Sequence, residues 1–191
     1  MSDMVEVRWH GRGGQGAKTA SYILAVAAAE QGWQVQAFPE YGAERRGAPM
    51  KSYVRMSHGP LRLRSAVQEP SVVVVLDGTL VAGEHVAAGV PADGLILLNG
   101  TEDPAALKQR LGLPDTVKVG VVDATTIATE TIGRPIPNTP MLGALAKLGD
   151  IVSLQAAEAA VRKTLGTKLA PAVVEGNMQA IQRAYEEVKV A

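Results

Sequence analysis

The sequence predicts an α/β protein: one layered domain over residues 1–191, with a mixed, mainly parallel sheet flanked by helices and a helical C-terminal third. Three observations predict it. The runs SVVVVLDG, GLILLNG and VKVGVVDA are continuously apolar, the pattern of strands covered on both faces. Helical segments alternate with them, as in layered α/β architectures. Beyond Asp123, apolar residues recur at three- and four-residue spacing, which places one buried face on each of several helices.

In chain order, Val5, Val7 and Trp9 alternate with charged residues and read as a first strand. A glycine loop follows, HGRGGQGAKTA. Good helix formers fill the stretch from about Ala17 to Gln31, and Gly32 is a stop signal. WQVQAF reads as a second strand ending near Pro39, which completes a βαβ unit. MKSYVRMS and LRLRS both alternate around an HGP turn, so the expectation there is an antiparallel hairpin. The three apolar strands come next, with helices expected near 79–88 and 104–111. Asp103 before Pro104 is a helix start, an N-cap followed by proline at the first position. ATTIATETIG reads as a short helix, and NTPMLGALAKLG as another, capped by Asn138 or Thr139. Leu154, Ala157, Val161 and Leu165 share one helix face, and Val174, Met178, Ile181, Tyr185 and Val188 share another. Gly176 in that last segment costs roughly 1 kcal/mol against alanine and blurs the helix start.

Composition excludes several functions. Nineteen basic residues balance nineteen acidic ones, and the densest basic cluster is Arg45-Arg46, too small for a nucleic-acid tract or an anionic membrane surface. Cysteine is absent, which removes disulfides, a thiolate nucleophile and thiolate-held iron–sulfur clusters. His10, His58 and His85 lie far apart with no metal-ligand spacing, so no metal site is expected. MSDMVEVRW has no apolar core for a signal peptide, and the apolar stretch at Leu24 to Ala29 is too short to span a membrane. A cytoplasmic setting is expected.

Three motifs carry chemistry. In the glycine loop, Gly11, Gly13 and Gly16 fit G-x-G-x-x-G at a strand-to-helix junction, with Gly14 between them. Backbone donors and the helix dipole favour an anion there, and Arg12 and Gln15 add a cation and an amide. Glu40, at the end of the second strand, falls near the place of a ribose-binding acid. The alternative reading of the same loop is a tight strand-to-helix turn without ligand. In PEYGAERRGAP, Arg45 and Arg46 sit between glycines and could grip a phosphate, a carboxylate or a partner subunit. In RPIPNTPMLGA, Asn138 and Thr139 either cap a helix or face a ligand. Asp77 and Asp123 end strands and His10 borders the glycine loop. Capping and packing are their commoner uses. No G-D-G with a downstream Asn-Asn, P-loop, G-x-S-x-G or H-E-x-x-H is present.

Taken together, HGRGGQGAKTASYILAVAAAEQG, QAFPEYGAERRGAP, VVVVLDGTL, VVDATTIATETIGRPIPNTPMLGALAKL and VSLQAAEAAV resemble the gamma subunit or domain of the 2-oxoacid:ferredoxin oxidoreductases, over about Val5 to Tyr185. One departure is Pro140, where family members are expected to carry alanine. The resemblance implies a subunit of a complex that oxidatively decarboxylates a 2-oxoacid to an acyl-CoA and passes electrons to ferredoxin or a similar acceptor. It implies no cofactor on this chain. Thiamine diphosphate, magnesium and iron–sulfur clusters of the 4Fe–4S type would sit on alpha, beta and ferredoxin-like delta partners, with coenzyme A as co-substrate. It makes Gly11, Arg12, Gly13, Gly14, Gln15, Gly16, Arg45, Arg46, Asn138 and Thr139 candidates for coenzyme A phosphates or a subunit interface, with no catalytic residue. A Rossmann-like dinucleotide module and a non-catalytic scaffold are the alternatives.

Overall fold

The computed structural model describes residues 4–40, 47–63 and 65–191. Its strands are β1 (Met4–Arg12), β2 (Gln34–Pro39), β3 (Pro49–Ser57), β4 (Val72–Val75), β5 (Leu95–Asn99), β6 (Lys118–Val122) and β7 (Lys189–Val190). Its helices are α1 (Ala17–Glu30), α2 (Pro104–Arg110), α3 (Ala124–Ile132), α4 (Asn138–Leu148), α5 (Leu154–Leu165) and α6 (Pro171–Glu187). One sheet holds all the strands in the order β2-β3-β1-β4-β5-β6-β7. Ladders β1–β4, β4–β5 and β5–β6 are parallel, β3 is antiparallel to β1 and to β2, and β7 is antiparallel to β6. Five strands therefore share a direction and the sheet is mixed but mainly parallel, as expected.

The apolar runs are buried on both faces. Val72, Val74, Leu95 and Leu97 join the larger core with α1, α4, α5 and α6. Val73, Val75, Ile96, Leu98, Val119 and Val121 form a second core under Leu80, Val86 and Leu107. Period-two alternation within each strand thus feeds two cores at once. The alanines of α1 let that helix lie close on the sheet, with Ala17, Ala20, Ala27 and Ala28 all buried.

The structure corrects four expectations. LRLRS does not pair with β3. Both flanks of β3 are already filled by β2 and β1, so no edge remains for a returning strand. Its described residues meet sheet side chains instead: Arg55 donates to the Leu63 and Ser65 carbonyls and Gln36 to that of Leu61. The opening βαβ unit is consequently split, with β3 wedged between β1 and β2. The helix expected near 79–88 is only a 3-10 turn at Gly78–Leu80. Arg8 Nη2 takes the carbonyls of Val86 and Ala88 at 3.0 and 2.7 Å, and His85 adopts φ +45°, so a helical ladder cannot propagate. Neither Asn138 nor Thr139 is the N-cap of α4. Pro137, with φ −76° and ψ −2°, is already near helical geometry and its carbonyl accepts the first bond, from Met141. Finally, β7 is too short to register as a pattern. Asp103 caps α2 as expected, and among the described residues no helix is long and apolar enough to cross a membrane.

Candidate functional site

The glycine loop begins where β1 outruns its parallel partner. Gly14 and Gly16 hold φ +102° and +84°, values that disfavour any residue with a Cβ. The Arg12 N–H donates to Gln15 Oε1 at 2.8 Å, and Gln15 N–H returns to the Arg12 carbonyl at 3.0 Å, which closes the turn on itself.

Each nitrogen of the Arg12 guanidinium has a partner within the protein. Its Nε lies 3.2 Å from Asp77 Oδ2, Nη2 donates to Thr79 Oγ1 at 2.9 Å, and Nη1 donates to the Gly47 carbonyl at 3.1 Å. Gln15 Nε2 reaches the same Asp77 Oδ2 at 2.8 Å. Burial pushes the Asp77 carboxyl up, but hydrogen bonds from Thr79 and Gln15 and the Arg12 charge outweigh it and hold the group below the ordinary range. Asp77 is therefore both the cap of the following turn and the anchor of the glycine loop. The sequence presents it only as a strand-end acid. Its partnership with Arg12 and Gln15 depends on β4 lying beside β1, which no local pattern reveals.

Arg45 and Arg46 lie outside the described residues. The two residues that follow that pair are joined to the glycine loop by backbone bonds: Gly13 N–H to the Ala48 carbonyl at 3.0 Å, and Gly47 N–H to the Gly13 carbonyl at 3.2 Å. The N-terminus of α4 arrives from the other side. A Cβ on Gly16 would stand 2.5 Å from Asn138 Nδ2, so glycine is required there for space as well as for φ. Thr139 is buried behind Asn138, with its N–H 2.8 Å and its Oγ1 3.2 Å from Asn138 Oδ1. Gly11 packs against Leu76 and Ala17 at the base of the loop. Two motifs distant in sequence, the glycine loop and Asn138-Thr139, thus converge at the carboxyl end of the parallel strands, with Gly47-Ala48 bonded to the same loop.

Two neighbours of the site have settled roles. His10 is 1% exposed and accepts from Arg8 Nε at 2.9 Å through Nε2. Burial, then the charges of Arg8 and Lys51, lower its pKa to about 3, so it is neutral and a weak base. The Glu40 carboxylate accepts from the Tyr53 hydroxyl, whose own pKa is raised by burial and by that bond. Glu40 ends a strand that β3 separates from β1, so a ribose-binding acid beside the glycine loop is not formed.

The comparisons with known proteins agree with this architecture. The profile of the family described as pyruvate ferredoxin/flavodoxin oxidoreductase matches residues 6–187. The chain is 50% identical over 184 residues to pyruvate synthase subunit PorC of Thermotoga maritima, covering 96% of this chain and 94% of that one. It is 43% identical over 187 residues to the pyruvate/ketoisovalerate oxidoreductases common subunit gamma of Pyrococcus furiosus, with 98% of each covered. The crystal structure of pyruvate oxidoreductase subunit PORC from Thermotoga maritima superposes with a TM-score of 0.86 at 46% identity, over 98% of both chains. A sheet with β3 wedged beside the glycine loop and a near full-length family match lead to one conclusion: this chain belongs to the pyruvate ferredoxin/flavodoxin oxidoreductase family.

Proposed function

We propose that the chain is the gamma subunit of a cytoplasmic, multi-subunit 2-oxoacid oxidoreductase. The complex decarboxylates a 2-oxoacid oxidatively, transfers the acyl group to coenzyme A and passes electrons to ferredoxin or a similar acceptor. Relatives at 50% and 43% identity bear the names of a pyruvate synthase subunit and a common gamma subunit, which supports the reading.

The donor set of this chain does not fit the cofactors of such a complex. It has no cysteine for an iron–sulfur cluster, and among the described residues no three His, Asp or Glu side chains gather to hold a metal. The reading therefore assigns thiamine diphosphate, magnesium and iron–sulfur clusters to alpha, beta and ferredoxin-like delta partners. What this chain offers is a built loop cluster. In this reading the glycine loop, Arg45-Arg46 and Asn138 receive the phosphates of coenzyme A beside the acyl-transfer site.

One observation carries it: the backbone pair between Gly13 and Gly47-Ala48 ties the glycine loop to the residues directly after Arg45-Arg46. The test is the double variant R45A/R46A in the reconstituted complex. We expect intact assembly and a KM for coenzyme A raised at least about tenfold, as for lost charge-assisted hydrogen bonds. Unchanged assembly and unchanged KM would refute the assignment. Lost assembly with no ligand effect would give the arginines to the subunit interface instead.

A further inference from the structure

We propose that Asp77 is the positioning residue of the glycine loop: its carboxylate sets the orientation of the Arg12 and Gln15 side chains, and through them the affinity of the complex for coenzyme A. The proposal rests on the reading of this loop cluster as facing coenzyme A.

Asp77 stands at the point where two parallel neighbours part. β1 and β4 are paired up to His10 and Val75, and the Leu76 N–H still reaches the His10 carbonyl at 2.8 Å. Beyond that bond β1 leads into α1, over the larger core, and β4 leads into the Gly78–Leu80 turn, over the second core. Such a divergence opens a crevice outside the carboxyl ends of the strands, where open α/β sheets place their ligands. Asp77 directly follows Leu76, so its side chain is the one that can tie the two diverging loops together.

Its two oxygens have separate tasks. Oδ1 serves its own turn and accepts from the Thr79 N–H at 3.0 Å and from the Thr79 hydroxyl at 2.5 Å. Oδ2 serves the glycine loop: it accepts from Gln15 Nε2 at 2.8 Å and lies 3.2 Å from Arg12 Nε. The Thr79 Oγ1, oriented by its bond to Oδ1, accepts in turn from Arg12 Nη2 at 2.9 Å. With Nη1 held by the Gly47 carbonyl, the plane of the Arg12 guanidinium is fixed, and one N–H on each terminal nitrogen is left for a ligand. The Gln15 amide is fixed at both ends, because its Oε1 takes the Arg12 N–H. An asparagine at 77 would keep an oxygen for Thr79 and turn an NH2 group toward two donors. It would therefore leave the turn capped and release the loop.

The experiment is steady-state kinetics of the reconstituted complex carrying D77N, with pyruvate as the 2-oxoacid. The KM for coenzyme A should rise about tenfold, while the KM for pyruvate and kcat at saturating coenzyme A stay within about twofold. D123N neutralises the strand-end acid that caps α3 and should leave all three constants unchanged, which separates positioning from the weakening of a cap. The double variant R12Q/D77N should show the coenzyme A KM of the worse single variant, and effects that multiply in full would overturn the proposal. An unchanged coenzyme A KM in D77N beside a raised one in R45A/R46A would overturn the positioning role and leave the coenzyme A reading standing. Unchanged values in both would overturn both. A raised pyruvate KM with a lowered kcat would mark a general loss of structure and also overturn the role. Should D77N fail to assemble, T79V decides, since it removes the hydroxyl link to Arg12 and keeps the backbone cap. Its coenzyme A KM should rise about threefold, and an unchanged value overturns the proposal.

Discussion

At the scale of single residues, the Arg8–His10 pair shows how a buried strand face accommodates charge. Both side chains lie on the face of β1 away from α1, and Arg8 Nη2 donates to the Val86 and Ala88 carbonyls. Burial lowers the Arg8 pKa as well, in the direction expected for a desolvated cation. The pair has a consequence for stability. His10 has a pKa of about 3 in the folded chain against an ordinary value of 6.5. Between these values the unfolded chain binds a proton that the folded chain refuses, so stability falls as pH drops below about 6.5 and keeps falling toward about 3, by up to roughly 1.4 kcal/mol per pH unit. Asp77 adds its own loss only at lower pH, once the unfolded carboxylate begins to protonate. H10Q retains an acceptor for Arg8 and cannot titrate. Urea unfolding from pH 7 to pH 5 should show a flatter stability profile for H10Q than for the parent chain. Equal slopes would mean that His10 is not the titrating group.

At the scale of elements, Gly176 shows what a periodic pattern leaves hidden. In sequence it is only a cost, a glycine inside α6. In the structure a Cβ there would stand 2.3 Å from the Thr131 carbonyl oxygen, where α6 passes the end of α3. The obstacle is backbone and cannot swing aside. G176A improves helix propensity by about 1 kcal/mol and yet should destabilise the fold, by about 1–3 kcal/mol net, as overpacking does. A lower urea midpoint checks the sign, and a higher one would show that the helices can part. Gly143 meets the Ile181 carbonyl in the same way, so small residues set the spacing of α4 and α6. The elements themselves are largely legible because caps, stops and apolar spacing act locally. Asp103 and the Val72–Val75 run announce themselves. The expected hairpin at LRLRS fails because β2 takes the side of β3 that a returning strand would need, a pairing that local alternation does not encode. The expected helix near 79–88 fails because Arg8, far away in sequence, claims its carbonyls.

At the scale of the whole molecule, the same division holds for the candidate site. The glycine loop and Asn138-Thr139 stand out as motifs, and the fold brings them together as facing parts of one cluster. Asp77 acquires its meaning only from the assembled sheet, where it meets Arg12 and Gln15, so spacing alone could not select it. The wedge of β3 between β1 and β2 also imposes an order in time. Among the described strands β2 lies at the edge beside β3, and β3 reaches β1 only after the chain has passed through α1 and β2. Ladders β2–β3, β4–β5 and β5–β6 join consecutive strands, whereas closing β3 onto β1 spans α1 and β2, and such non-local closure is slow. In refolding with pulsed hydrogen exchange, amides of β5 and β6 should gain protection before the β1 amides that face β3, and simultaneous protection would contradict the sequence of events. Since Gly47 and Ala48 lead directly into β3, the glycine loop receives its backbone clamp only when β3 docks. The glycine-loop cluster is then among the last parts of the nascent chain to mature.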